Sequence, residues 1–351
     1  MNEILNSFES LASLSHQDRK WLLQAGYFET LTPGSVLIRE GEAIAALYVL
    51  TQGTLEVVTS RTDSLNRSDM GARSSTHVIG QVTAGQILGE ISFITQRVPI
   101  ATLNVLDTAE VLVIPHQELV QQLQQNRGFA ANFYRIIAQL LSQRLQQNDA
   151  LSTTSDTVPI PSLRKALSMF AVFEDTDLNW FLSVGKKQKC EAGTVLVRER
   201  ESVEAVYILI DGELEVSIHA SEQGSTTKKV LTTLMSGEII GEISFVAAGS
   251  ASATVTCLRR TLVLALPRGT LATHMQANVG FAARFYQAIA IVLGDRIRDR
   301  LLQYGYGQVA FEQGQSLETE MEYADELDLE MLEQTTIAGS RFDWFMQQVQ
   351  A

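Results

Sequence analysis

The sequence predicts an α+β fold of two tandem β-rolls, jelly-roll-like and each flanked by helices. Three observations carry that expectation. The chain repeats itself: "PGSVLIREGEAIAALYVLTQGTLEV" from Pro33 returns as "AGTVLVRERESVEAVYILIDGELEV" from Ala192. Within each copy the hydrophobic period runs from helix to short strands and back to helix. The length of 351 residues suits two domains better than one core.

Taken in order, each copy opens on a helix. In "SLSHQDRKWLLQAG" a polar start precedes Trp21, Leu22 and Leu23, and Gly26 is the expected stop; "FEDTDLNWFLSVG" is its partner. Short runs rich in Val, Ile, Leu and Tyr follow, punctuated by the turn signals "TQGT", "IDGE", "TAG" and "MSG". Gly34 and Gly193, Tyr48 and Tyr207, and Gly53 and Gly212 lie 159 positions apart, whereas Gly89 and Gly241, Thr102 and Thr254, and Pro115 and Pro267 lie 152 apart. The first copy therefore holds seven extra residues. The polar stretch Ser60 to Thr76 is where they are expected, as a mobile loop. Ala101, Leu103 and Val105 alternate with Thr102 and Asn104, as a half-buried strand requires. After Pro115 the apolar stripe Phe129, Phe133, Ile136, Ile137, Leu140, Leu141 and Leu145 restores the helical period.

These patterns place a first domain at 1–147, a Ser/Thr/Asp/Pro-containing linker at 148–161, a second domain at 162–303 and a tail at 304–351. The segment "ETEMEYADELDLEMLEQ" in the tail reads either as a solvated acidic helix or as disorder. From Glu312 onward there are ten acidic side chains against Arg341 alone.

Charge excludes one function class. A net charge of -13 argues against a nucleic-acid binder, whose affinity comes largely from Lys and Arg on phosphates. No apolar run is long enough to span a membrane and the N-terminal stretch lacks a basic signal-peptide start, so a cytoplasmic protein is expected. Cys190 and Cys257 are too few for a disulfide framework or a zinc site and read as small core or surface residues. His16, His77, His116, His219 and His274 form no metal spacing. With no Walker loop, nucleophile elbow or zinc-protease helix, neither catalytic residues nor a cofactor are expected.

The pair of stretches that point to a site is "GEISFITQRVPIAT", Gly89 to Thr102, and "GEISFVAAGSASAT", Gly241 to Thr254. A Gly-Glu pair opening a short helical turn after a strand exposes backbone N–H groups suited to an anion. On these residues both copies resemble cyclic nucleotide-binding domains, the family that includes the catabolite activator protein and protein kinase regulatory subunits. The resemblance spans roughly Ser7 to Leu145 and Arg164 to Leu302. It implies that the fourteen-residue stretch is a phosphate-binding cassette, with Glu90 and Glu242 on the ribose 2'-hydroxyl and Gly89 and Gly241 opening the turn. The candidate ligand-binding residues are Gly89, Glu90, Ile91, Ser92, Pro99, Ile100, Ala101 and Thr102, and Gly241, Glu242, Ile243, Ser244, Ala251, Ser252, Ala253 and Thr254. For Glu90 and Glu242 the competing reading is a carboxylate that steadies its own helix start; the Gly turns and "REGE" at Arg39 read as fold determinants.

The family holds the cyclic phosphate with an Arg about ten residues after the Gly. Here that position is Pro99 or Ala251, and a shift by one gives Ile100 or Ser252. Arg97 is two residues away in the first copy; the second has Gly249 there. The expected function is thus a non-enzymatic regulatory or sensor protein whose binding of cyclic AMP, cyclic GMP or a small anion is weakened. The alternative is a ligand-free scaffold or assembly subunit. Two partner surfaces are expected. Phe342, Trp344, Phe345 and Met346 in the tail read as a docking peptide for a protein partner, against a competing reading in which they fold back. The helices Phe133 to Gln147 and Phe285 to Leu301 carry apolar faces for in-chain packing or for a homodimer seam.

Overall fold

The structure is a computed structural model and describes residues 11, 14–62, 74–149, 169–222, 225–303, 306 and 329–350. Contacts divide it into two compact units. The first holds the described residues up to Ile137 together with those from Gly294 to Tyr306; the second holds Ala138–Asp149, Met169–Leu293 and the C-terminal helix. The expected boundaries at 147 and 303 divide the chain by sequence similarity, and the division by packing falls elsewhere, inside two helices.

In the first unit α1 (His16–Ala25) is started by Ser15, whose hydroxyl accepts from the Asp18 N–H while the Asp18 carboxylate accepts from the Ser15 N–H, a reciprocal capping box. Gly26 ends it, donating its N–H to the Leu22 carbonyl. Eight strands follow: β1 (Tyr27–Leu31), β2 (Val36–Ile38), β3 (Ala46–Gln52), β4 (Thr54–Thr62), β5 (Ser74–Thr83), β6 (Ile87–Leu88), β7 (Thr102–Val105) and β8 (Ala109–Pro115). They form two antiparallel sheets, β1-β8-β3-β6 and β2-β7-β4-β5. Inward-facing Leu50, Leu55, Val111 and Val113 close the core between the sheets, each contributing roughly 1.5–3 kcal/mol by burial. The helices α2 (Glu90–Thr95), α3 (His116–Gln125) and α4 (Arg127–Asp149) complete the copy. The expected loop over Ser60 to Thr76 is shorter than its polarity suggested, because Ser60 pairs with Thr76 and Thr62 with Ser74 as strand. Its middle, 63–73, lies outside the described residues, as do most of the linker and the tail up to 328.

The second unit repeats this plan. After α5 (Asp175–Val184) come β9 (Lys186–Cys190), β10 (Val195–Val197), β11 (Ala205–Asp211), β12 (Leu214–Glu222), β13 (Ser225–Leu234), β14 (Ile239–Ile240), β15 (Thr254–Cys257) and β16 (Thr261–Pro267), with α6 (Glu242–Ala247), α7 (Arg268–Ala277) and α8 (Val279–Gln303). The sheets are β9-β16-β11-β14 and β10-β15-β12-β13, the same order as in the first unit. Leu209, Leu214 and Val263 replace Leu50, Leu55 and Val111 in the core. Even the irregularity is copied: the ladder shifts register between Leu50 and Gln52, and again between Leu209 and Asp211.

Cys190 and Cys257 are free and buried in this second core. Burial, and then the neighbouring Cys257 sulfur, push the Cys190 thiol up. Both thiols are buried, so they should react with an aromatic disulfide reagent only as fast as the unit opens. Rapid stoichiometric labelling of the native protein would contradict the packing.

The C-terminal helix α9 (Leu329–Gln350) packs on α5 and β11. Ala338, Phe342, Phe345, Met346 and Val349 fall at helical spacing along one face, and all but Phe342 are buried. Phe345 is fully buried, 5.4 Å from the ring of Phe170 and 6.4 Å from that of Phe181, and Phe342 meets Phe170 edge-on at 5.3 Å. Arg341 fastens the same face with its Nε 2.8 Å from Asp175 Oδ1. Phe345 and Met346 are thus buried in their own unit, as the competing fold-back reading has it, Phe342 is half-buried, and of the four only Trp344 is exposed, at 36%. The apolar faces expected to offer a seam are likewise covered within the chain: Phe133, Ile136, Ile137, Leu141 and Leu145 are buried, as are Phe285, Ile289, Leu293 and Ile297.

Candidate functional site

The first cassette begins where β6 ends. Gly89 takes φ 82° and ψ 1°, the left-handed region, which costs any residue with a Cβ roughly 1–2 kcal/mol. A Cβ there would also stand 2.7 Å from Ile44 Cδ1. The turn releases α2, whose first bond runs from the Phe93 N–H to the Gly89 carbonyl at 3.0 Å. Glu90 is carried inward to 2% exposure. The helix is closed by Gln96 at φ 52° and by the Thr95 hydroxyl on the Ile91 carbonyl at 2.7 Å.

The rest of the cassette is stitched to the "REGE" turn. The Gly41 N–H donates to the Pro99 carbonyl at 2.9 Å, and the Glu40 N–H to Thr102 Oγ1 at 2.9 Å. The Thr59 hydroxyl donates to the Ile100 carbonyl at 2.9 Å. Glu40 in turn anchors the turn to β4, its carboxylate accepting from the Ser60 N–H at 2.8 Å and from the Ser60 hydroxyl. Pro99 and Ile100 are buried, and Ala101 and Thr102 half-buried. The candidate residues Ile91 and Ser92 lie on α2, half-buried and buried.

The second cassette is built alike. Gly241 has φ 83° and ψ 1°, and Glu242 is again 2% exposed. The Arg200 N–H donates to the Ala251 carbonyl at 2.8 Å, the Ala251 N–H to the Glu201 carbonyl at 2.9 Å, and the Glu199 N–H to Thr254 Oγ1 at 3.1 Å. Glu199 plays the part of Glu40, accepting from the His219 N–H at 2.9 Å. Ile243, Ser252 and Ala253 are half-buried, while Ser244, Ala251 and Thr254 are buried.

No guanidinium belongs to either position where the resemblance asks for one. Arg97, the cation nearest in sequence, is already paired, its Nη1 lying 3.4 Å from Asp295 Oδ1. In the second unit Arg268, at the start of α7, reaches Ser244 instead: Nη1 donates to Oγ at 3.3 Å and Nη2 to the carbonyl at 3.2 Å, with the guanidinium 5.6 Å from the Phe245 ring centre. Glu40 lies in the "REGE" stretch read as a fold determinant, whereas neither its counterpart Glu199 nor Arg268 was singled out by sequence. A signal for the anchors lay in the repeat itself, which keeps "RE" at the same offset of 159. Arg268 had none, because its counterpart is His116.

His116 stands at the same corner of the first unit, 5.0 Å from the Phe93 ring, with Nε2 buried and without a hydrogen-bond partner. Burial lowers its pKa from 6.5, against an opposing hydrogen bond to the Ala46 backbone. With the folded value below the unfolded one, the unfolded chain takes up the proton first as pH falls. The stability gained from a neutral His116 is therefore full above the unfolded value of 6.5 and is lost as pH drops towards the folded value. Melting temperatures of the protein and of His116→Gln across pH 7.5 to 5 should diverge on this account, the wild type falling further; parallel curves would remove the effect.

Among the described residues no group of three or more His, Cys, Asp or Glu is placed to hold a metal ion, and no helix is long and apolar enough to cross a membrane.

Comparison with known proteins bears on both cassettes. A family profile described as "Cyclic nucleotide-binding domain" matches residues 28–126 and 187–278. Each cassette lies inside one match. A cGMP-dependent protein kinase of Eimeria tenella is 23% identical over 263 residues, covering 74% of this chain and 21% of that protein. Lysophospholipase NTE1 of Chaetomium globosum is 24% identical over 278 residues, covering 73% of this chain and 17% of that one. The chain thus spans about a fifth of the length of these curated relatives. Among solved structures, the regulatory domain of Toxoplasma gondii PKA with cAMP is similar at 15% identity and TM-score 0.30, over 79% of this chain and 91% of that one. A cyclic nucleotide-binding domain from Methylobacillus flagellatus is similar at 17% identity and TM-score 0.36, over 39% and 79%.

Proposed function

The chain belongs to the cyclic nucleotide-binding domain family, with two tandem copies of the domain, and from that premise we propose that it is a non-catalytic regulatory protein whose cassettes bind a cyclic nucleotide only weakly. The observation that carries this reading is the contrast within each cassette. The left-handed glycine and the buried glutamate are in place, while the position for the phosphate's cation is a buried Pro99 or Ala251. A cyclic phosphate keeps one full negative charge. A charge-assisted hydrogen bond to it is worth roughly 1.5–3 kcal/mol, about ten- to a hundredfold in affinity. Backbone N–H groups at a helix start supply about half a unit of charge, and Glu90 or Glu242 opposes the phosphate. Output through a shift between two conformations follows from ligand binding one of them better.

Calorimetric titration of the full chain with cyclic AMP and cyclic GMP tests this. Weak binding, well short of the submicromolar range, is expected. Tight binding in both units would overturn the weakening. No heat and no change in melting temperature at millimolar ligand would overturn the sensor reading in favour of a ligand-free scaffold.

A further inference from the structure

The end of α8, from Gly294 onward, belongs to the first unit and brings charge into it. Asp295 and Arg298 are 3% and 4% exposed, and Asp299 is buried beside them. Charges at such depth need partners, and two contacts, one an ion pair and one a hydrogen bond, show where part of that partnering is directed. Arg97 Nη1 lies 3.4 Å from Asp295 Oδ1, and Arg298 Nη1 donates to the Val98 carbonyl at 2.7 Å. Arg97 is the one cation between Gly89 and Thr102, and Val98 immediately precedes Pro99. The helix end therefore grips the cassette at the two residues leading into its vacant arginine position. At the corresponding positions the second cassette has Gly249 and Ser250, both exposed and unable to form such an ion pair.

We propose that the end of α8 is an electrostatic gate on the first cassette: Asp295 holds Arg97 as an internal counter-anion, and an anionic ligand entering the cassette competes for that guanidinium. The proposal rests on the weak-binding reading above and says how one of the two sites is regulated. A carboxylate and a phosphate monoanion on one guanidinium repel each other, so each weakens the hold of the other and the two compete. Arg298 stays charged at any working pH, so its bond to Val98 keeps the gate in register with the cassette; Asp295 and Arg298 are positioning residues and Arg97 is the group the ligand engages. Coupling of this kind is reciprocal. Ligand in the first cassette loosens residues 294–303, and whatever loosens them tightens the ligand. The second cassette has Gly249 in place of Arg97 and so lacks the guanidinium on which this gate acts.

The test uses the full chain with cyclic AMP and cyclic GMP as probes. Asp295→Asn should tighten binding at one site by about fivefold or more, Arg97→Gln should weaken the same site by about tenfold, and amide hydrogens of 294–303 in the wild type should exchange faster with saturating ligand than without. If the wild type binds but both variants bind as it does, the gate falls while weak binding stands. If neither the wild type nor Asp295→Asn binds, both fall. Should Asp295→Asn fail to fold, Arg97→Gln, whose side chain is 26% exposed in the wild type, and the exchange measurement decide: unchanged affinity together with unchanged protection overturns the gate.

Discussion

Arg284→Met is expected to destabilise the second unit by about 3–5 kcal/mol, the cost of leaving a buried charge without its partner. Arg284 clasps Asp177 with two bonds, Nε to Oδ2 at 2.6 Å and Nη2 to Oδ1 at 2.8 Å, and its Nη1 reaches Glu174 Oε1 at 2.9 Å. Asp177 is buried and also accepts from the Glu174 N–H at 2.9 Å at the start of α5. The side-chain hydrogen bond to Asp177 raises the Arg284 pKa, outweighing the opposing effect of burial. Removing the arginine strips a charge partner and loosens a helix start together. The first unit supplies the comparison. Its cap uses Ser15 and Asp18, and Asn132 stands where the second has Arg284. Asn132→Ala should therefore cost well under what Arg284→Met does. Urea denaturation of both variants measures the difference, and a loss below about 1 kcal/mol for Arg284→Met would mean that the pair is screened as surface pairs are.

Ala251→Arg is expected to have the largest effect on binding. Restoring the guanidinium should tighten the second cassette for cyclic AMP or cyclic GMP by about ten- to a hundredfold. It should also make stability depend on ligand. Ala251 is 6% exposed and packs in the second core, so an arginine entering there without an anion brings a charge into an apolar setting and costs several kcal/mol. A bound phosphate offsets part of that cost. The signature is a variant that melts below the wild type alone and rises steeply with cyclic nucleotide, under conditions where the wild type hardly moves. If the variant melts low and does not respond to ligand, position 251 does not face a phosphate, and the analogy that places the arginine there is wrong for this chain.

The parts of the fold that repeat were readable because the two copies correct each other. Constant offsets align Leu50 with Leu209 and Gly89 with Gly241, and periodicity supplied the strands and helices between. The cassettes were readable for a local reason: a strand that must break into a short helix at φ above 80° marks itself with glycine. What escaped was pairing over distance. Arg284 and Asp177 are 107 residues apart, and Arg298 and Val98 are 200 apart; no local period records such a contact. The tail differs. Phe342, Phe345 and Met346 stood out as apolar residues in an acidic segment, but which helical face they share with Val349 and what covers it is recorded only in the packing.

The way the compact units draw on the sequence sets the order in which the protein can be made. The first unit is unfinished until Gly294 and the residues after it exist, and Phe345 reaches the second core only from the far end of α9. At translation rates of roughly 5–20 residues per second, about ten to thirty seconds separate the emergence of Ile137 from that of Arg298. Throughout that interval the first roll lacks the partners that Asp295 and Arg298 give to Arg97 and Val98. A fragment cut before Gly294 inherits the same deficiency permanently.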